Sequence, residues 1–575
     1  MEAITIKIND TNVVVPEGAT ILEAAQQAKI EIPTLYYLKG INNTDDSGVC
    51  VVEVNGAIVP AASTYVEAGM EVQTATPAVM AARKEALKKI LAIHNYDCTD
   101  CVRIDNCELK PLLHLYDVTN EPSLAESDLV PLDTSFPVLV RDNNKCIRCG
   151  RCVAVCGKVQ GIAALRTVGV GLEAQVVPMD SAFASGMGLG AVNCINCGQC
   201  ITACPVGALA EKDNTAEVYA ALADPDKYVV VEVAPAVRAS LGENFDFPIG
   251  VDVEGKIAVA LRELGFDKVF DTKFSADLTI MEEANEFLNR MQNGGKLPLL
   301  TSCCPGWVKY CEHFYPDMTD HLSSCKSPQQ MFGAVAKSYY AEKLGIPKEK
   351  IVVVSVMPCT AKKFEITRPE MAGDVDISIT TNELARMIKD AEIQMEAMDF
   401  EEFDNPLGLG TGAGVIFGAT GGVMEAALRT AVEKMGGKAL DKLEFCDVRG
   451  VEGVKEASYE VNGKTLKVAV ASGLANAKIV MDKVRSGEAD YQFIEIMACP
   501  GGCVNGGGQP HLSYKDSVLT DIRKVRADML YANDQSSEIR KAHENPAIAD
   551  LYKDYLGQPG SEKAHDLLHT TYVAR

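Results

Sequence analysis

The sequence predicts a multidomain chain of mixed α+β and α/β class, and three observations carry that prediction. Its 575 residues exceed what one hydrophobic core organises, at roughly 100–200 residues per domain. Residues 1–78 alternate apolar and polar positions around a single helical stretch, as a small sheet with one covered face does. From about residue 225, short runs of Val, Ile and Leu alternate with amphipathic helices, the pattern of strands buried on both faces.

The elements follow in order. ITIKI, NVVVP, VVEVNG and EVQTA supply strands of a mixed sheet, and ILEAAQQAK supplies the helix packed on it (1–78). Residues 79–117 begin as a helix, AVMAARKEALKKILAIHNY, and break into a cysteine-rich loop. Residues 137–212 hold two cysteine-dense repeats separated by an insertion. In 225–511, VVVEVAP, KLPLLTS, IVVVSVM, LKVAVAS and YQFIEIM read as strands, with GKIAVALRELGF, LTIMEEANEFLNRMQ and GGVMEAALRTAVEKM as helices between them, in two lobes. The tail, 512–575, is polar and helical and is expected to wrap the surface.

Composition narrows the function. The net charge of −24, from 55 basic and 79 acidic residues, disfavours a nucleic-acid binder, which needs basic surface to displace counterions. No run approaches the roughly 18 apolar residues of a membrane span, and MEAITIKIND reads as a strand and not as an export signal. No membrane partner and a cytoplasmic address are therefore expected. There, 20 cysteines point to metal or redox chemistry before disulfides.

The cysteines are grouped. CIRCGRCVAVC (Cys146, Cys149, Cys152, Cys156) and CINCGQCITACP (Cys194, Cys197, Cys200, Cys204) each repeat the C-x2-C-x2-C-x3-C run of a two-cluster bacterial ferredoxin. In that arrangement the fourth cysteine of each run ligates the other cluster. One [4Fe–4S] cluster is expected on Cys146, Cys149, Cys152 and Cys204, and the other on Cys194, Cys197, Cys200 and Cys156. His94, Cys98, Cys101 and Cys107 form H-x3-C-x2-C-x5-C. Structural zinc uses the same donors; proximity to two ferredoxin clusters favours a third [4Fe–4S] cluster with one imidazole ligand.

The remaining group is distributed. Three apolar strands run into cysteine loops: PLLTS into CCPGW (Cys303, Cys304), VVVSVMP into CTAKKFE (Cys359), and FIEIMA into CPGGCVNGGGQP (Cys499, Cys503). Ligands of α/β sheets collect at the carboxyl ends of strands, so the three loops can converge on one buried site. In LTIMEEANEFLNRM, Ile280, Ala284, Phe287, Leu288 and Met291 form an apolar stripe. Glu283, Glu286 and Arg290 lie along its edge and Glu282 points elsewhere. Such carboxylates relay protons if burial raises their pKa, and otherwise form a solvated flank. GLGTGAG (408–414) follows DNPL where a dinucleotide loop would follow a strand, so a Rossmann reading is weak. Cys50, Cys311, Cys325 and Cys446 are left over as inert thiols.

TSCCPGW, MPCTAKKFE and EIMACPGGCVNGGGQP resemble the three signature motifs of [FeFe]-hydrogenases, and the layout resembles the large monomeric clostridial type over nearly the whole chain. The resemblance implies a β-grasp ferredoxin-like N-terminal domain, a one-histidine three-cysteine segment, a double-[4Fe–4S] ferredoxin domain, an α/β catalytic domain and a small-subunit-like C-terminal region. It implies reversible reduction of protons to H2, with ferredoxin or flavodoxin as electron partner. The alternatives are a catalytic subunit of an NADH-linked bifurcating complex and a non-catalytic sensor or scaffold. It also implies an active-site cluster, a [4Fe–4S] cubane joined to a diiron subsite with CO, cyanide and dithiolate, which dedicated maturation proteins must supply. By the family pattern Cys304, Cys359, Cys499 and Cys503 hold that cluster. Cys303 passes protons, Lys362 donates to a cyanide, and Met357, Met497, Pro235 and Gln329 line the pocket. Glu283, Glu286, Ser323 and Arg290 match the proton relay. Departures are Ala236 where relatives tend to carry serine, and Cys325 in place of a commoner alanine. In the N-terminal domain the family's four [2Fe–2S] positions align with Tyr36, Ser47, Cys50 and Ala62, so a folded domain without that cluster is expected.

Overall fold

The computed structural model describes residues 3–179, 193–437, 439–440, 442–451, 453–513, 516, 518 and 520–575. The chain forms two compact units, one of Met1–Cys194, Gln199–Ala210 and His511–Thr520, the other of Ile195–Gly198, Glu211–Pro510 and Asp521–Arg575. Its mixed helix and strand content is that of a multidomain α+β and α/β protein.

In the first unit, strands β1 (Ala3–Ile8), β2 (Thr11–Pro16), β3 (Val51–Val54), β4 (Ala57–Pro60) and β5 (Glu71–Gln73) form one sheet. Their order is β2-β1-β5-β3-β4, with β1 and β5 parallel through Lys7↔Glu71. Helix α1 (Ile21–Gln27) starts at a capping box in which Thr20 Oγ1 accepts from Glu23 N–H while the Glu23 carboxylate accepts from Thr20 N–H. It buries Ile21, Leu22, Ala24 and Ala25 against Ile6, Ile8, Val52 and Val72. This is the small mixed sheet with a covering helix that the alternation predicts, in the β-grasp form that the resemblance implies. Helix α2 (Pro77–Leu91) follows, capped by Thr76.

The second unit holds two four-stranded sheets. Strands β6 (Tyr228–Val233), β7 (Lys268–Asp271), β9 (Ile351–Met357) and β10 (Ile377–Thr380) make an all-parallel sheet in the order β7-β6-β9-β10. Strands β8 (Leu299–Leu300), β11 (Val454–Val461), β12 (Lys464–Ser472) and β13 (Phe493–Met497) make the other, β8-β13-β12-β11, parallel except for β11. Helix α3 (Lys273–Asn293) serves both cores. Phe274 and Leu278 pack with Val230 and Val353 of the first sheet, while Ile280, Ala284 and Phe287 pack with Val468 and Phe493 of the second. Phe287 stacks on Phe493 at 5.2 Å between ring centroids, and truncating such a buried ring costs about 3–5 kcal/mol.

The tail does more than wrap the surface. Leu530 joins Ala236, Val415 and Val504, and Ile548, Leu551, Leu556 and Leu568 join the Phe270–Phe274 core. Its charged residues made it read as a surface strap, but they lie between these fully buried apolar positions. Among the described residues, no helix is long and apolar enough to cross a membrane.

Candidate functional site

The loops after β8, β9 and β13 meet in one pocket of the second unit. Cys303, Cys304, Cys359, Cys499 and Cys503 all line it, with Lys362, Met357, Met497, Pro235 and Gln329. Cys304 precedes helix α4 (Pro305–Phe314), with Pro305 at its first turn where the missing N–H costs nothing. Cys359 precedes helix α5 (Ala361–Glu365), which carries Lys362. Cys503 follows Gly501 and Gly502, whose φ values of +88° and +98° exclude ordinary side chains. A Cβ at Gly506 would stand 2.0 Å from the Pro358 carbonyl, so only glycine lets the third loop lie against the second.

The donor set fits a thiophilic metal cluster. Burial pushes the Cys359 thiol up to about 11 and the Cys499 thiol well above its ordinary value. Left alone these groups stay protonated, and metal is what draws thiol protons off at neutral pH. Lys362 Nζ donates to Glu365 at 2.8 Å and to the Cys303 carbonyl at 3.1 Å, holding an ammonium at the pocket wall. Glu365 Oε2 also accepts from Ser327 Oγ at 2.8 Å and Gln329 Nε2 at 3.0 Å. Sequence reasoning missed Glu365, although it stands three residues beyond Lys362 on one helix face, a readable i, i+3 pair. Ala236 lines the pocket, and its carbonyl accepts from Gln509 Nε2 at 3.0 Å.

A polar file leads away from Cys303. Burial first, and then the Glu283 charge, push the Cys303 thiol well above its ordinary value. Glu283 is itself buried; that burial and the nearby Glu286 raise its pKa to about 8, and a Ser323 hydrogen bond lowers it in part. Glu283 Oε2 has no partner among the described residues. The Ser323 hydroxyl donates to Glu286 Oε2 at 2.9 Å, and Arg290 Nη2 meets Glu286 Oε1 at 2.6 Å. The solvated-flank alternative therefore fails for Glu283. Glu282 does point elsewhere, but into the protein: it is buried and accepts from Tyr552 Oη at 2.5 Å and Gly560 N–H at 2.8 Å. Cys325 is buried beside the file, its Sγ 3.8 Å from Glu286 Oε2. Cys50 and Cys311 are buried elsewhere and Cys446 is exposed.

In the first unit, Cys146, Cys149, Cys152 and Cys204 line one cavity, the crossed set expected from the spacing. His94 Nδ1 lies 2.9 Å from the Lys145 carbonyl, and burial lowers its pKa to about 4. The ring is then neutral and donates at Nδ1, which leaves the Nε2 lone pair for a metal. Burial raises the pKa of Cys98 and of Cys107, and the charge of the neighbouring Cys101 adds to both. Of the last set, Cys156, Cys194 and Cys200 belong to the first unit; Cys197 belongs to the second, where its charge acts on Cys499.

Comparison with known proteins agrees with this geometry. The model of the iron-only hydrogenase large subunit, C-terminal domain, matches residues 227–507, and that of the iron hydrogenase small subunit matches 520–575. A 4Fe-4S dicluster domain matches 145–208. The chain is 49% identical to the NADP-reducing hydrogenase subunit HndD of Solidesulfovibrio fructosivorans, covering 100% of both chains. It is 44% identical to iron hydrogenase 1 of Clostridium pasteurianum, covering 99% of both. A solved apo [FeFe]-hydrogenase HydA1 of Chlamydomonas reinhardtii, a single-site variant, aligns with a TM-score of 0.56 at 43% identity, over 63% of this chain and 99% of that one.

One expectation is overturned. A 2Fe-2S iron-sulfur cluster binding domain matches residues 1–77, against the expected absence of a [2Fe–2S] cluster. The expectation counted side chains at four aligned positions, Tyr36, Ser47, Cys50 and Ala62, of which Cys50 is the one thiol. The match instead spans the whole domain, the region of the five strands and capped helix seen above.

Proposed function

The chain belongs to the iron-only hydrogenase family, oxidoreductases acting on H2, and from that premise we propose that it interconverts protons and H2 with electrons exchanged with ferredoxin or flavodoxin in the cytoplasm. The observation that carries the reading is the convergence of five cysteines from three strand ends beside one buried ammonium. On this reading Cys304, Cys359, Cys499 and Cys503 hold the six-iron cofactor, which when bound supplies the redox and Lewis-acid chemistry. Met357, Met497, Pro235 and Gln329 shape its pocket and keep water out. Lys362, fixed by Glu365, offers its N–H to an anionic ligand of the cofactor. The Cys303 thiol, kept protonated by burial, hands its proton inward and is refilled from Glu283. Ser323 passes the proton from Glu286, and Arg290 holds Glu286 in place at the outer end.

We assign 1–78, 79–117, 137–212, 225–511 and 512–575 as the domains of this assembly, the second and third carrying electrons through three [4Fe–4S] clusters. Maturation proteins install the diiron unit. An infrared spectrum of the matured protein tests the reading: CO and cyanide stretches together with H2 turnover support it, and their joint absence refutes it. A second reading is a catalytic subunit of a nicotinamide-linked complex, favoured by the full-length likeness to a subunit named NADP-reducing. Co-purification of a flavin-containing partner from the native host separates the two.

A further inference from the structure

Glu282, on the face of α3 away from Cys303, leads to a histidine. His569 Nε2 lies 3.1 Å from Glu282 Oε2, and His569 Nδ1 lies 2.8 Å from Ser324 Oγ. The ring thus has a carboxylate behind it and a hydroxyl in front, the arrangement that fixes an imidazole for proton transfer. A ring nitrogen of His569, Cys325 Sγ and a carboxylate oxygen of Glu286 lie within 4.8 Å of one another. Glu286 also accepts from Ser324 N–H at 3.1 Å, so Ser324 contacts both groups. On its outer side the His569 ring stacks on the exposed His565, 4.9 Å between centroids and 10° from parallel.

The backbone docks the segment around His569 without help from its side chain. Thr570 N–H donates to the Ser324 carbonyl at 2.7 Å, and Lys326 N–H donates to the Leu568 carbonyl at 2.8 Å. A side chain needed only to dock the tail would be redundant with these bonds. Cys325, the third neighbour, does not compete for the proton, because burial pushes its thiol well above its ordinary value.

We propose that His569 is a second outer branch of the proton relay, feeding Glu286 in parallel with the Arg290 mouth, and that Glu282 is the positioning residue that orients its ring. This rests on the hydrogenase reading. In the step, the imidazolium N–H bond breaks and a Glu286 O–H bond forms, relayed by one water across the gap of up to 4.8 Å, leaving neutral imidazole and a carboxylic acid. The imidazole is recharged from solvent past His565, and no electrons move.

The test uses the matured full-length enzyme with His569→Ala, His569→Gln, Arg290→Leu and the combinations. Parallel supply predicts that each single change lowers H2 turnover about threefold, while His569→Ala with Arg290→Leu lowers it about 100-fold, the scale of a lost acid–base step. Independent structural defects would instead multiply to about ninefold. Gln keeps the hydrogen bond to Ser324 but carries no proton, so His569→Gln must behave as His569→Ala; recovery with Gln would mark a structural role and overturn the proposal. Added imidazole should restore the double Ala/Leu variant and leave Cys303→Ser inactive, with iron content unchanged throughout. A multiplicative loss in the double variant, or no imidazole rescue, refutes the branch alone. Absence of H2 turnover in the matured wild type refutes the hydrogenase reading with it.

Discussion

The Lys362 ammonium and the Glu365 carboxylate are joined at 2.8 Å, both buried, on the wall of the cysteine pocket. Burial alone would lower the Lys362 pKa, but the Glu365 charge and hydrogen bond outweigh it and the net shift is upward. The ammonium therefore persists across the whole physiological range, and the stability it contributes is lost only as pH rises through that raised pKa. Lys362→Met leaves Glu365 buried with two neutral donors, Ser327 and Gln329. The expected cost is about 3 kcal/mol, at the low end for breaking a buried ion pair. Trp307, the single tryptophan, is fully buried in α4 beside the site and reports the transition by fluorescence. Adding Glu365→Gln should recover part of the loss; a double variant as unstable as the sum of the singles would deny the coupling.

Cys499 and Cys503 are expected to act as ligands and not as packing. Changing either to Ala should abolish CO and cyanide bands in the matured protein while the electron paramagnetic resonance signals of the ferredoxin clusters survive. The side chains lost are small, and Ala fills most of a thiol's space, so a packing role would leave the bands in place. Retention of CO bands in both variants would count against the converging loops.

Cys303→Ser separates the donor from the ligands. A hydroxyl is a much weaker acid than a thiol, so turnover should fall by about 10²-fold or more, roughly the worth of one acid–base group. Iron content and the infrared bands should change little. Near-wild-type turnover would remove Cys303 from the relay.

Much of this site was legible because iron–sulfur ligation fixes spacing along the chain: the two four-cysteine runs and the three strand-end motifs carry their chemistry in local sequence. Strands rich in Val and Ile, such as β6 and β9, were legible as continuous apolar runs, while β7 (KVFD) and β10 (ISIT) are short, mix polar residues with apolar ones, and passed unread. Glu282 shows the other limit. Its partners Tyr552 and His569 stand 270 and 287 residues away, and no periodicity on α3 announces them. The tail misled because its charges are abundant while its buried positions, Leu530, Leu551 and Leu568, are few and widely spaced.

Glu283 ties the relay to pH. Its pKa stands near 8 in the folded protein, raised from 4.5 chiefly by burial and then by the Glu286 charge. The folded state therefore binds a proton between these values that the unfolded chain has released. The corresponding stability is fully present below about pH 4.5 and is lost as pH rises through 8, by at most about 5 kcal/mol. Glu283→Gln removes this one dependence and leaves the others. The difference in stability between wild type and variant, read from Trp307 fluorescence in denaturant, should thus shift in favour of Gln across that window and level off above it. Below pH 8 the neutral acid can donate to Cys303, and above it the buried carboxylate repels the next negative charge, so wild-type turnover should show an alkaline limb near 8. Glu283→Gln should abolish turnover at every pH, since an amide carries no exchangeable acid proton at these values. A pH-independent stability difference would mean that Glu283 is ionised in the folded protein, and the inner half of the relay would need another acid.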